Sequence, residues 1–597
     1  MNSRARSHQR PEAAEPLAPQ AVCLDVLRRR YAHSGESTVD DVLRRVAAAL
    51  SQAEAPSEQA RWRERFLWAM RQGWVPAGRI LAGAGRQGML INCFVVPLEG
   101  PAGLGDTLDH ALTTLRLGGG VGFDFSPLAP AGAWPEQAGQ RAAGPLSAIQ
   151  ALDAACRDLR APGGRSGAQM AVLRCDHPDI LSFVHAKDHG GLSSFNMSVA
   201  VSDAFMHAVV ADTDVELVHA CPPVDAAGQP SARRRPDGLW VHASLRARAL
   251  WREVMRCAHG HGEPGVLFMD RINADNNLSD CELIRATNPC AEQPLPPHGA
   301  CCLGSLDLTR LVVAPFGPRA HLSLARLATL VKVAVRVLDN VLDLSTWPLP
   351  AQAEEARLKR RIGLGVTGLG DALVMLGLRY DAPLARQQVA QWMAHTRNTA
   401  YVASCELARE RGAFPLFDAE AVLRAPHCAS RLPPDIQCAI RRHGLRNSHL
   451  LSVAPAGSIS LALCDNVSSG IEPVHGWRAC RRLLCRDTTD EQAPLTVDDH
   501  AWRLHRHLMG EGAALGPAFI TARDIAPADH VAMVAAVAPF VDGGISKTVN
   551  VREDLPMCEM LDLYTQAWQA GLKGLATYRD NAILPAALSD APPCCRL

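Results

Sequence analysis

Asn288-Pro289-Cys290-Ala291-Glu292, with Cys301 eleven residues beyond Cys290, is the stretch on which the reading of this chain turns. A thiol, a carboxamide and a carboxylate fall within five residues, and a second thiol follows a short loop away. Asn288, Cys290 and Glu292 are spaced i, i+2, i+4. In an extended or looped backbone alternate side chains point the same way, so all three could face one substrate. The set suits chemistry in which one group takes a hydrogen atom, one takes a proton and one holds a hydroxyl. Against this stands the ordinary behaviour of cysteine, which is commonly buried as a small hydrophobe. The chain has 19 cysteines, so most must be structural, and a Cys near a Glu is by itself catalytic about one time in ten.

The rest of the chain narrows the class. Lys+Arg 61 balances Asp+Glu 61, which argues against a general nucleic-acid or membrane-surface binder. Hydrophobic residues at 48% of 597 are ample for a large core. No run of about 18 uncharged apolar residues appears, so no membrane span is expected. The opening MNSRARSHQRPEAAEPLAPQ lacks the apolar centre of a signal peptide. A cytoplasmic location is therefore expected, where thiols stay reduced and are candidates for redox chemistry. No tandem C-x-x-C zinc spacing occurs, and the adjacent pairs Cys301-Cys302 and Cys594-Cys595 are poor chelates, so no metal site is expected.

Residues 1–21, rich in Ala, Pro, Glu and Arg, read as disordered. Residues 22–75 read as helical: Leu24, Leu27 and Tyr31 form one stripe, Val42, Val46 and Leu50 a second, and Thr38 is placed to cap a helix with acids in its first turn. From 76 to 580, short apolar runs alternate with helical stretches. Met89-Leu90-Ile91, Val199-Ala200-Val201, Ile362-Gly363-Leu364-Gly365-Val366 and Leu450-Leu451-Ser452-Val453 are such runs; 324–342 and 385–411 are such helices. The alternation predicts an α/β domain with mostly parallel strands. Residues 581–597 read as a mobile tail that carries Cys594 and Cys595.

Two loops suit phosphate. Gly118-Gly119-Gly120-Val121-Gly122 allows close backbone approach, although a glycine run is more often a turn. Ala454-Pro455-Ala456-Gly457-Ser458-Ile459-Ser460 follows an apolar run and precedes a helix, the arrangement that presents N–H groups to an anion.

The motif 288–305, ending Cys301-Cys302-Leu303-Gly304-Ser305, closely resembles the active-site finger loop of ribonucleotide reductases, and looks most like the adenosylcobalamin-dependent class II enzymes. The likeness continues in order through Pro76-Ala77-Gly78-Arg79-Ile80-Leu81, Asn92-Cys93-Phe94, 118–127, Asp176-His177-Pro178-Asp179-Ile180, Phe195-Asn196-Met197-Ser198-Val199, 361–371, 455–460, Ser468-Ser469-Gly470-Ile471-Glu472-Pro473, 545–550 and 574–579. It covers about residues 22 to 580.

The resemblance implies a ten-stranded α/β barrel of the ribonucleotide reductase/glycyl radical type, with an N-terminal helical segment and Cys290 on a loop through the barrel centre. It implies radical reduction of the ribonucleotide 2′-carbon, with diphosphates the expected substrates. Cys290 would carry the thiyl radical, Glu292 take the 3′-hydroxyl proton and Asn288 hold the substrate hydroxyls. Cys93 and Cys301 would supply the reducing equivalents, and Cys594 with Cys595 would re-reduce them by thiol–disulfide exchange with a thioredoxin-like or glutaredoxin-like reductant. Ala456, Gly457, Ser458, Ile459 and Ser460, with Ser126, would bind the substrate phosphates. Residues 165–196 would couple a dNTP or ATP effector at a specificity site to substrate choice, and a homodimer is expected because such sites often lie at a dimer interface. Two departures stand out. Cys302 occupies a position where the family commonly has Asn, so it is read as a bystander, and Arg165-Ser166-Gly167-Ala168-Gln169-Met170 lacks the usual second Arg and Asn.

The radical source follows from absences. Class I enzymes import a radical through two adjacent tyrosines near the C-terminus. Here the five tyrosines (31, 380, 401, 564 and 578) include no adjacent pair, and the corresponding stretch reads Leu575-Ala576-Thr577-Tyr578-Arg579. The glycyl-radical and Cys-rich zinc patterns of class III are also missing. Adenosylcobalamin is therefore the expected cofactor; a mutase-type Asp-x-His-x-x-Gly motif is not present, nor do class II enzymes use it. The short stretch before Val22 leaves no room for an ATP-cone, so no overall dATP switch is expected. The alternatives are a class I-type subunit with a separate radical-generating partner and a silent nucleotide-binding paralogue.

Overall fold

A ten-stranded sheet organises the protein. Its strands are β1 (Trp74–Pro76), β2 (Cys93–Val95), β3 (Gly120–Asp124), β4 (Gln169–Arg174), β5 (Phe195–Val201), β6 (Gly265–Phe268), β7 (Ala300–Asp307), β8 (Ile362–Thr367), β9 (Thr548–Val551) and β10 (Gly574–Arg579). The computed structural model describes residues 17–86, 88–98, 104–135, 141–157, 159–161, 165–188, 190–223, 233–481 and 495–579. Cys594, Cys595 and the rest of the expected redox tail lie outside them, as does most of the N-terminal stretch.

Two sets of parallel strands meet head to tail. β2 to β6 run parallel to one another, as do β7 with β8 and β9 with β10. The joins between the sets, β2 with β7 and β6 with β10, are antiparallel. Among the described residues the ladders do not themselves form a closed ring. Single parallel bridges, Leu364 with Leu451 and Val453 with Ile545, run on from β8 toward the segment entering β9. The expected strand at 450–453 thus contributes isolated bridges, and Met89-Leu90-Ile91 is buried irregular chain leading into β2.

Among the described residues three α-helices precede the sheet: α1 (Ala21–Arg30), α2 (Val39–Leu50) and α3 (Gln59–Arg71). Thr38 closes a capping box on α2: its hydroxyl accepts from the Asp41 N–H (3.2 Å) and Asp41 Oδ2 accepts from the Thr38 N–H (2.9 Å), worth about 1 kcal/mol. Val42, Val46 and Leu50 are fully buried. On α1 the buried stripe is Val22, Cys23, Val26 and Leu27, with Leu24 only half-buried, because the helix packs against the segment after residue 457 as well as against its own neighbours. Gln20, expected within the disordered stretch, is fixed by Nε2 to Asp465 Oδ1 (3.1 Å) and the Asp498 carbonyl (2.9 Å). The long helix Leu324–Leu344 ties the helices to the sheet through Arg336, which is buried and paired twice with buried Glu54.

Candidate active site

A short hairpin, Ala286–Thr287 with Pro294–Leu295, carries the finger loop against β3. β3 accepts it at close range because Gly122 has no side chain: a Cβ there would stand 1.7 Å from the Thr287 carbonyl oxygen. The glycines at 120 and 122 are therefore strand residues making room for the finger, while Gly118, at φ +93°, forms the turn that leads into β3. Opposite, Gly544 N–H donates to the Glu292 carbonyl (2.8 Å), and the Ser452 hydroxyl donates to the same oxygen (2.8 Å).

The loop is a tight turn and not an extended strand. The Ala291 N–H donates to the Asn288 carbonyl (3.0 Å), Ala291 has φ +63°, and the Asn288 N–H donates to the Gln293 carbonyl (3.0 Å). Asn288 Oδ1 accepts from the Gln293 N–H (2.9 Å), and Asn196 Nδ2 on β5 donates to the Pro289 carbonyl (2.8 Å). Asn288 and Glu292 share a face because the turn folds back, whereas the i, i+2, i+4 argument invoked an alternating backbone. Cys290 lies half-exposed at the turn.

Cys93 is the meeting point. Asn288 Nδ2 donates to its sulfur (3.2 Å), and its thiol points at Glu292 Oε1 (3.8 Å). The ladder register sets Cys93 directly opposite Cys301. Antiparallel partners have Cα atoms about 4.5–5.5 Å apart, within the range that a disulfide spans. Both residues are buried and unbridged. Burial raises both thiols well above their ordinary pKa, with the charge of Glu292 reinforcing the effect at Cys93 and that of Cys302 at Cys301. They stand as protonated thiols, the form that carries hydrogen to give. Cys302, next along β7, points the other way and donates to the Leu338 carbonyl (3.3 Å) on the long helix.

Glu292 is 2% exposed and its Oε2 has no hydrogen-bond partner. Burial raises its carboxyl to about 7, against opposing hydrogen bonds from Asn288 and Cys93. A carboxyl poised near neutral pH with an open oxygen is suited to proton exchange with a substrate hydroxyl.

The loop after Val453 leads through Ala456, at φ +57°, into the helix Gly457–Leu463, whose start has no side-chain cap. The first N–H groups of a helix lack intrahelical acceptors. Gly457 and Ser458 are half-exposed, while Ile459 and Ser460 are buried. The hydroxyls are already engaged: Ser458 with Tyr31 of the N-terminal segment (2.6 Å), and Ser460 with the Gly457 carbonyl (2.9 Å). Ser126, at the end of β3, accepts from the Arg174 N–H (3.0 Å) and donates its own N–H to Asp124 (2.9 Å). What the loop offers an anion is chiefly backbone. Sequence reasoning missed Ser452 and Gly544, which hold Glu292 from behind; the pair Gly543-Gly544 was the available signal.

Known proteins are similar in sequence along nearly the whole chain. The family model described as ribonucleotide reductase, all-alpha domain, matches residues 18–88, and that described as ribonucleotide reductase, barrel domain, matches residues 91–578. The chain therefore belongs to the ribonucleotide reductase family. It is 35% identical to a vitamin B12-dependent ribonucleoside-diphosphate reductase of Mycobacterium tuberculosis, across 97% of this chain and 82% of that protein. It is 30% identical to the protein of that name from Thermoplasma acidophilum, across 85% and 64%. A vitamin B12-dependent ribonucleotide reductase of Streptomyces clavuligerus is 27% identical across 74% and 52%.

Proposed function

We propose that this protein reduces ribonucleoside diphosphates to 2′-deoxyribonucleotides for DNA synthesis, with adenosylcobalamin as its radical source. The observation that carries the reading is the placement of Cys93 opposite Cys301, with Asn288 and Glu292 both reaching Cys93 and Cys290 at the turn between them. As a thiyl, Cys290 takes the substrate 3′-hydrogen and later returns it. Glu292 accepts the 3′-hydroxyl proton, and Asn288 holds the hydroxyls. Cys93 and Cys301 then give two hydrogens as the 2′-hydroxyl leaves as water, so ribonucleotide and dithiol become deoxyribonucleotide, disulfide and water. The helix start at Gly457 receives the phosphates with Ser126 nearby in role.

The residues present fit the cofactor that the relatives' names carry. Cys290 is half-exposed while Cys93 and Cys301 are buried, so the thiol that must meet a large group is the accessible one. The five tyrosines include no adjacent pair in the chain, and Tyr31, Tyr380, Tyr401 and Tyr564 are each hydrogen-bonded to separate partners. Bound adenosylcobalamin would supply a weak cobalt–carbon bond as a local radical source. The bond from Asn196 to the Pro289 carbonyl supports a route from an effector at residues 165–196 to the finger. Re-reduction through Cys594 and Cys595 by a thioredoxin-like or glutaredoxin-like partner, a homodimer and a cytoplasmic site complete the proposal; among the described residues no helix is long and apolar enough to cross a membrane.

Anaerobic incubation with CDP, adenosylcobalamin and dithiothreitol should yield dCDP without a second subunit. No product with any effector nucleotide would sink the reading, and product only on adding a di-metal radical subunit would transfer the protein to class I.

A further inference from the structure

Away from the finger, two distant stretches bring metal-ligand side chains together. The turn after the helix Ile180–Val184 carries His185 and Asp188, and the helix Ala247–His261 carries Cys257 and His261 four residues apart on one face. One ligand atom from each of His185, Asp188 and Cys257 falls within a sphere where all lie within 4.8 Å of one another.

We propose that His185, Asp188 and Cys257 form a site for a divalent zinc-like cation. Cys257 Sγ lies 3.7 Å from His185 Nδ1 and 3.6 Å from Asp188 Oδ1. Tetrahedral zinc with bonds of about 2.0–2.3 Å has ligand–ligand edges of about 3.3–3.8 Å, so the sulfur–nitrogen edge needs no change, while Asp188 Oδ1, which also faces His261, sets the carboxylate beside the sulfur. His185 Nδ1 and Asp188 Oδ2, now hydrogen-bonded at 2.8 Å, must part by about half an ångström to reach such an edge. A mixed sulfur, nitrogen and oxygen set favours zinc or cobalt over calcium or magnesium.

The surroundings match what ligands need. A ligating imidazole usually gives its second ring N–H to a carboxylate, and Glu253 Oε2 stands 3.6 Å from His185 Nε2. His261 Nε2 lies 3.0 Å from Asp188 Oδ1, steadying the carboxylate. A cation already occupies the focus: one guanidinium nitrogen of Arg256 is 2.9 Å from His185 Nδ1, 3.3 Å from Asp188 Oδ2 and 3.3 Å from Cys257 Sγ. The Arg256 side chain is 48% exposed, so it can swing into solvent and yield its place. Binding replaces the Cys257 S–H bond by a sulfur–metal bond and releases the proton to solvent, with no change of oxidation state. The ion would staple the turn to the helix that precedes β6. That turn runs on into β5, whose Asn196 holds the finger, so the staple lies behind the strand that positions Pro289.

Chelator-stripped full-length protein, titrated with Co²⁺ and then with competing Zn²⁺, tests this without reference to turnover. The expected result is one ion per chain with a sulfur-to-cobalt absorption band. Cys257→Ser and His185→Ala should each weaken binding by at least about 100-fold. Arg256→Ala should tighten it, because a competing cation is gone. A Cys257→Ser protein that keeps the band and the affinity overturns the proposal. Should either ligand variant fail to fold, Arg256→Ala decides: binding no tighter than that of the unaltered chain overturns it, and tighter binding sustains it.

Discussion

The finger loop and the loop at 454–460 solve opposite problems with the same device. Each bends through an alanine in left-handed backbone, Ala291 at φ +63° and Ala456 at φ +57°, a conformation that costs a non-glycine residue about 1–2 kcal/mol. Around the finger, that cost is met by a shell of fixed partners: Gly544, Ser452 and Asn196 hold its carbonyls, and Gly122 lets β3 approach. The result is a fixed turn in which Glu292 Oε2 and Gln293 Nε2 are the buried side-chain atoms left without hydrogen-bond partners. At 454–460 the bend instead opens an uncapped helix start to half-exposed chain. On the proposed roles, reacting groups need placement before substrate arrives, whereas a phosphate can complete the donors that bind it.

That contrast predicts its largest effect at Cys290. Cys290→Ala should lower dCDP formation by at least about 10⁴-fold, yet leave the thermal midpoint within a few degrees because the side chain is half-exposed. Residual turnover near that of the unaltered chain would break the assignment of the finger as the reacting centre.

Glu292→Gln should cost about 10²–10⁴-fold in kcat, and it carries a pH signature. With the carboxyl raised to about 7 by burial, kcat/KM of the unaltered enzyme should rise with pH through about that value. Stability runs the other way. From the ordinary carboxylate range up to about pH 7 the unfolded chain has lost a proton that folded Glu292 keeps, so stability falls with rising pH in that window and levels off above it. Glu292→Gln lacks this fall, and should be the more stable protein at pH 8 by up to about 3 kcal/mol, with the difference vanishing near pH 4. Parallel denaturation curves at both pH values that show no such divergence would mean that Glu292 is solvated.

Gly122→Ala tests the shell. Its Cβ would collide with the Thr287 carbonyl, and backbone against backbone cannot yield as a flexible side chain does. A loss of about 3 kcal/mol or more in urea unfolding is expected, together with loss of turnover. An unchanged midpoint would place the finger farther from β3.

The parts of this site that could be read from the chain are those whose meaning is local or carried by motif: the finger residues, Cys93, Cys301 and the Thr38 cap. What could not be read depends on distant partners. Met89-Leu90-Ile91 has strand composition but no ladder to join. Gly120 and Gly122 read as loop residues, and only the hairpin some 165 residues away that lies against them accounts for their lack of side chains. Asn288 and Glu292 meet through a turn held by Gly544, and the His185–Cys257 cluster joins residues that no short spacing rule connects.

Ser458 shows the same dependence at its smallest scale, and closes the comparison experimentally. As a Gly/Ser-loop residue it reads as a phosphate donor, but its hydroxyl is 2.6 Å from Tyr31. If that bond persists when substrate is bound, Ser458→Ala removes a contact between the N-terminal segment and the loop worth about 1 kcal/mol. The KM for CDP should then rise by less than about tenfold with kcat unchanged, and Tyr31→Phe should reproduce the shift, because either change removes the same bond. A Ser458→Ala effect much larger than that of Tyr31→Phe would show the hydroxyl leaving Tyr31 for the phosphate. In that event the loop, like the finger, would place a side chain on the substrate, and backbone N–H groups would no longer account for its affinity alone.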